Sequence, residues 1–140
     1  MGRDWYEDIV EFHKEVMRDN FKTTPQIPPL KFWELRHKLV KEEMMETLDA
    51  ILNNDLVEIA DGICDSIVVL LGTAVTYGMD IRPIWDEVHR TNMAKKDGIL
   101  REDGKRLKPE GWQPPRIKEL LEEQKLETRD RANTKPELGD

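Results

Sequence analysis

The chain has 140 residues, 36% of them charged, and a formal net charge of −7. That length holds one domain with a real core but hardly two, and the acidic balance argues against a general nucleic-acid binder, which needs a basic face. Cys64 is the single cysteine, which excludes an internal disulfide, and no cysteine-based zinc site is visible. The start, "MGRDWYEDIVEF", has no apolar signal core, and the apolar stretch "SIVVLLGTAV" is too short to span a bilayer. The expectation is a soluble protein of a reducing cytoplasm, with no membrane partner.

Asp4 followed by Glu7 is an acidic variant of a helix capping box. Behind it Trp5, Ile9, Phe12 and Val16 recur at helical spacing, predicting a first helix from Trp5 to Arg18. "TTPQIPP" breaks the chain, because each proline removes a donor and restricts the residue before it. A long second helix follows from Leu30 to Leu52, then a turn at Asn53 and Asn54. Asp55 and Glu58 repeat the cap pattern and open a third helix that runs to Tyr77, with Gly78 as its stop. Asp80 caps a shorter helix, "IRPIWDEVHRTN", whose Pro83 is tolerated in the first turn. After Met93 the apolar periodicity ends in the turn-rich "KKDGILREDGKRLKPEGWQPP", where "DGK" suits a hairpin tip. "RIKELLEEQKL" adds a helical turn or two. With no convincing pair of strands the class is all-α, an antiparallel bundle of four to five helices over residues 1–126. The polar residues 127–140 are expected to be a mobile charged tail.

From Ile63 to Val75 the third helix is apolar nearly all round, and such a helix has to be covered on every side. A chain this small barely supplies that cover, so the bundle is expected to be completed by a homodimer or homotetramer. A plain central core helix is the competing reading.

The second and third helices also carry most of the puzzling charge. At about 100° per residue, Leu35, Leu39, Glu42 and Glu46 fall in one sector of the second helix, with Glu43 at its edge. On the third, Glu58, Asp61 and Asp65 share a face. A short turn joins the two helices, so they should pack antiparallel and bring these acids together. A solvated acidic face usually offers cations four residues on; none of these acids has one there, and Lys38 reaches Glu42 only in the weaker orientation. Unpaired acids that converge need a cation, and oxygen ligands favour a hard one, Mg²⁺ or Mn²⁺. A di-iron bundle would need Glu-x-x-His pairs, which these acids lack.

"EEMME" followed by "EIAD" resembles the EExxE…ExxD signature of the all-α nucleoside triphosphate pyrophosphohydrolases, the superfamily of MazG-like proteins, dimeric dUTPases and phosphoribosyl-ATP pyrophosphohydrolase. "VEFHKEV", "GTAVTYGMDIRPIWDEVHRTNMAKKDG" and "DGKRLKPEGWQPP" resemble the phosphoribosyl-ATP-pyrophosphohydrolase-like branch, in order from Trp5 to Leu120. The charged tail after Leu126 has no counterpart in the likeness.

The resemblance implies Mg²⁺-dependent cleavage of a (d)NTP to the monophosphate and pyrophosphate. It implies Glu43, Glu46, Glu58 and Asp61 as metal ligands, Glu42 as water activator or a further ligand, and Asp65 as an extra ligand. A triphosphate reaches an acidic site only through metal ions, so the chemistry agrees. Arg90, Lys95 and Lys96, with Asn92, suit phosphate or nucleotide contacts, against an ordinary basic helix end. Lys105 and Lys108 lie on a loop, residues 97–115, that could cover the nucleotide, with Trp112 as either lid or anchor. His13, Phe32 and Trp33 are base-binding candidates, since a base pocket needs flat walls; Phe12 fits plain core better. Narrower alternatives are a phage-type enzyme similar to MazZ proteins that acts on guanine (d)NTPs in the host cytoplasm, a dUTPase, and the phosphoribosyl-ATP reaction. A different class is a non-catalytic helical metal-binding module.

Overall fold

A computed structural model describes residues 3–19 and 22–133. Its elements are helices: α1 (Trp5–Phe12), a π-helical continuation (His13–Met17), α2 (Leu30–Leu52), α3 (Leu56–Thr76), α4 (Ile81–Met93) and α5 (Ile117–Asn133). No strand forms among the described residues, so the class is all-α. The chain divides into two compact units, 1–79 and 80–140.

In the first unit α1 and α3 start where a side chain can satisfy their free N–H groups. Asp4 Oδ1 accepts from Glu7 N at 2.7 Å and Asp55 Oδ1 from Glu58 N at 3.2 Å. Pro29 opens α2 without a side-chain cap. Asn54, at φ 52°, turns the chain from α2 into α3, and Gly78, at φ 74°, ends α3 in the left-handed region that favours glycine. The first helix reaches Met17 as expected, but its last turn widens into a π-helix and closes at Arg18, φ 51°. This turn delivers His13 into the interior, where it is 2% exposed.

α2 and α3 form the dominant pairing of the unit, and α1 packs on α3. Arg36 meets Val69 and Thr73, Glu43 meets Ser66, and Thr47 meets Ser66 and Gly62. Residue numbers rise on one helix as they fall on the other, which makes the pair antiparallel. The face of α2 turned to α3 is therefore Arg36–Glu43–Thr47–Ala50. The wheel drawn through Leu35, Leu39, Glu42 and Glu46 was rotated by about one residue from it: Leu35 is 40% exposed, and Glu42 and Glu46 are exposed. Hydrophobicity alone misplaced the seam because its central residues are polar. Tyr6 adds a tie by donating from its hydroxyl to Met79 O at 3.0 Å, and Gln26 N donates to Tyr77 O at 3.0 Å.

α3 is longer than the apolar run read from the sequence, and by length and apolar content it would suffice to cross a bilayer. Its first half carries Glu58, Asp61 and Asp65, and it packs along α2 and α1, so it is described as the central helix of this unit. Val69, Ala74 and Val75 are buried on it, while Ile63 and Leu70 are each 48% exposed.

In the second unit Asp80 caps α4, accepting from Arg82 N at 3.1 Å. The Gln124 amide of α5 grips the backbone of Asp80, accepting from its N at 3.0 Å and donating to its O at 2.7 Å. The expected hairpin is a single bridge, Leu100 with Arg106, around Gly104 at φ 96°. α5 is longer than foreseen and continues to Asn133, so the start of the expected tail is helical. Residues 134–140 of that tail lie outside the described residues.

Candidate active site

The acids named from the sequence sit where α2 and α3 begin to pair beyond their connecting turn. Glu43 is half-buried in this seam. Its Oε2 is fully buried and has no hydrogen-bond partner. Burial and then the nearby carboxylates Glu46, Asp65, Glu42 and Asp61 push its carboxyl above the usual range. Glu42, Glu46, Glu58 and Asp61 are exposed, and Asp65 is half-buried. The structure thus gathers Glu42, Glu43, Glu46, Asp61 and Asp65 into one electrostatic neighbourhood; Glu58 is not among the groups that raise Glu43.

Local packing explains why these acids converge. Thr47 Oγ1 donates to Glu43 O at 2.8 Å and lies 3.1 Å from Ser66 Oγ. Gly62 faces Thr47 with no side chain between them, letting the two helices approach closely. The acids flanking this contact, Glu43 on α2 with Asp61 and Asp65 on α3, are carried toward each other by it.

No three His, Cys, Asp or Glu side chains among the described residues are drawn tightly enough to form a ready-made metal cage. The donor set still fits a hard divalent cation: its groups are carboxylate oxygens, and the orphaned Oε2 of Glu43 is a buried anionic acceptor without a donor.

A second feature of this unit was not read from the sequence. A cleft of about 530 Å³ is lined by Trp33, Arg36, Val40, Met44, Leu70 and Tyr77, among others. Arg36 is 5% exposed; its Nε donates to Thr73 Oγ1 at 3.4 Å and its Nη2 to Val69 O at 3.1 Å. Of the base-binding candidates, Trp33 lines this cleft. Phe32 is half-buried with the Lys31 ammonium 5.3 Å from its ring centre. His13 is enclosed, its Nδ1 3.0 Å from Asp19 Oδ2. Burial lowers the His13 pKa, with Asp19 opposing and Arg36 assisting, so the ring is neutral and donates to Asp19. The only sequence signal for Arg36 was its place seven residues before Glu43, on the same helix face.

The cationic candidates belong to the second unit. Arg90 Nε donates to Glu87 Oε1 at 2.6 Å. Glu87 is 8% exposed and also accepts from Arg116 N at 2.8 Å. These bonds, Arg90 first, hold its carboxyl down at about 2. Lys95 donates to Asn92 Oδ1 at 3.0 Å. Trp112 donates to Thr91 O at 2.7 Å, and Lys95 and Lys108 place their ammonium groups 5.1 and 4.7 Å from its ring centre. Trp112 therefore anchors its loop, and Lys108 rests on that anchor. Lys96 and Lys105 are exposed.

A family model described as phosphoribosyl-ATP pyrophosphohydrolase matches residues 9–92, which includes all of α2 and α3 and every acid of the cluster between them. No curated protein matches the chain.

Proposed function

The chain belongs to the phosphoribosyl-ATP pyrophosphohydrolase family, within the MazG-like all-α superfamily, and we propose that it hydrolyses a nucleoside triphosphate to the monophosphate and pyrophosphate. The coarser activity, a pyrophosphohydrolase acting on phosphoric anhydrides, comes with the family. The observation that carries the finer reading is Glu43: a buried carboxylate oxygen with no donor, among four other carboxylates that raise its pKa. Such a group is stabilised by a cation that no side chain among the described residues supplies.

Glu43, Glu46 and Asp61 would hold that cation, with Asp65 beside them and Glu58 one turn before Asp61 on α3. Bound Mg²⁺ or Mn²⁺ would supply the positive charge that lets a polyanion approach and would lower the pKa of the attacking water. Glu42, an exposed member of the cluster, would take the proton from that water. The two hydroxyls of Thr47 and Ser66 hold the backbone from which Glu43 projects. Phosphate or nucleotide contacts by Arg90, Asn92, Lys95, Lys96, Lys105 and Lys108 belong to the same proposal and rest on the resemblance alone.

Assembly is part of the reading. Leu48, Ile51, Leu52, Leu56 and Val57 form an exposed apolar end of the α2–α3 hairpin, with Leu52 at 80% and Leu56 at 79%. An exposed patch of this kind marks an interface, and a homodimer or larger homo-oligomer would cover it with its own copy. The metal assignment is tested by calorimetric titration of the protein with Mn²⁺. Wild-type protein should bind, and Glu43→Gln and Asp61→Asn should each lose affinity; undiminished binding in both variants removes the site.

A further inference from the structure

We propose that the cleft beside Arg36 is a nucleobase subsite, and that Arg36 makes it select bases carrying a ring carbonyl where adenine or cytosine carries an amine. The proposal deepens the reading above, because it takes the substrate to be a nucleotide.

Arg36 is an unusual residue to find in a helix–helix seam. It is 5% exposed, and only two of its nitrogens are used: Nε by Thr73 Oγ1 and Nη2 by Val69 O. Nη1 donates to no acceptor among the described residues, and Arg36 lines the cleft. That leaves Nη1 free to donate to whatever occupies the cleft, and a guanidinium donor is worth most when its acceptor is shielded from water. A ligand acceptor in the cleft would satisfy it.

The guanidinium is also held in place. A methyl group at Gly72 would stand 2.7 Å from Arg36 Nη2 and 2.8 Å from His13 Nε2, so the missing side chain of Gly72 is the space both groups use. His13 is in turn fixed by Asp19 at 3.0 Å, and the Asp19 charge acts on Arg36. The π-helical turn His13–Met17 puts His13 and Asp19 in these positions. A cation this constrained reads the shape and polarity of what it meets.

The walls decide what that is. Besides Arg36, the polar side chains of His37, Lys41 and Thr73 line the cleft, and Trp33, Val40, Met44, Leu70 and Tyr77 give it apolar and aromatic walls, suited to the face of a flat ring. A phosphate would leave these walls uncovered, and Asp19 already offsets the Arg36 charge that a phosphate would seek. A neutral carbonyl on a heterocycle uses both the donors and the walls, whereas an exocyclic amine would point N–H at N–H. Arg36 and Glu43 share one face of α2, seven residues and so about 10 Å apart along the helix. The base end and the metal end of one nucleotide can therefore lie along a single helix.

The test is equilibrium binding of nucleoside monophosphates to the whole protein without metal, read by tryptophan fluorescence. Two pairs isolate the contact: IMP against AMP, and UMP against CMP, which differ at that ring substituent and in the proton on the ring nitrogen beside it. The oxo member should bind at least about tenfold tighter in one or both pairs. Arg36→Gln should erase the preference. Leu70→Trp, which fills the cleft without touching the buried guanidinium network, should weaken binding of all four and so covers the case in which Arg36→Gln does not fold. Equal binding within both pairs, or full binding by Leu70→Trp, overturns the proposal. A protein that releases pyrophosphate from all triphosphates alike keeps the reaction and loses the subsite. One that separates the monophosphates but releases no pyrophosphate keeps the subsite and loses the reaction.

Discussion

Thr47 on α2 stands against Gly62 on α3 so closely that a methyl group at Gly62 would lie 2.5 Å from Thr47 Oγ1 and 3.1 Å from its Cα. This contact sets the helix spacing at the acidic cluster. Thr47 cannot easily turn aside, since its hydroxyl is engaged by Glu43 O and Ser66 Oγ. Gly62→Ala should gain up to about 1 kcal/mol of helix propensity and lose about 1–3 kcal/mol to overpacking. The net is a destabilisation of about 1 kcal/mol, visible in urea unfolding. Adding Thr47→Ala should restore part of it, as a double-mutant cycle would show. A Gly62→Ala protein more stable than wild type would mean that the helices are not held at this distance.

Removing an acid from the cluster should separate stability from activity. Glu46→Ala or Asp61→Ala should abolish turnover while the helical circular dichroism and the thermal midpoint are kept or raised, because each deletion relieves repulsion on Glu43. Glu42→Gln, which removes the proton acceptor and leaves the other carboxylates, should lower kcat by about 10²–10⁴-fold. Full activity in Glu46→Ala or Asp61→Ala contradicts the assignment of the acids.

Glu87 gives the second unit a pH dependence of known sign. Its carboxyl titrates at about 2 in the folded chain against an ordinary 4.5. A depressed acid contributes stability that is present above the unfolded value and is lost as pH falls through the folded one. Unfolding monitored between pH 5 and 2 should show this unit weakening across that window. Glu87→Gln, which cannot ionise, should lower stability at pH 7 and flatten the slope. An unchanged slope in the variant would remove Glu87 from the account.

The exposed apolar end of the α2–α3 hairpin predicts self-association. Sedimentation at micromolar concentration should give a mass of at least two chains, and Leu56→Lys, at a residue 79% exposed in the single chain, should shift it toward one. A stable, folded wild-type monomer would contradict the proposed assembly.

Much of the fold was legible because its signals are local. The caps Asp4, Asp55 and Asp80 and the stop at Gly78 are one-residue chemistry, and α2 runs between the limits read from periodicity, Leu30 and Leu52. The acids were legible because their spacing is a motif. The buried face of α2 was not, because Arg36, Glu43 and Thr47 look like surface residues to any hydrophobic pattern and are buried only through partners on α3. His13, a base-binding candidate in the sequence, lies enclosed against Asp19, a burial that no hydrophobic pattern signals. Glu87 was passed over for the same reason: its burial depends on Arg116, which is remote in sequence. α5 was under-read because its apolar residues are few and its length is carried by polar helix formers.

The central claim is that the acidic cluster serves hydrolysis of a nucleoside triphosphate to monophosphate and pyrophosphate. Pyrophosphate release from a panel of ribo- and deoxyribonucleoside triphosphates, with phosphoribosyl-ATP included, tests it most directly. With Mg²⁺ present, at least one triphosphate should yield equal amounts of monophosphate and pyrophosphate; chelation should stop the reaction, and Mg²⁺ or Mn²⁺ should restore it. Release from phosphoribosyl-ATP alone would keep the family chemistry and contradict the reading that ordinary (d)NTPs are the substrates, and no release from any substrate at saturating metal would contradict the account as a whole.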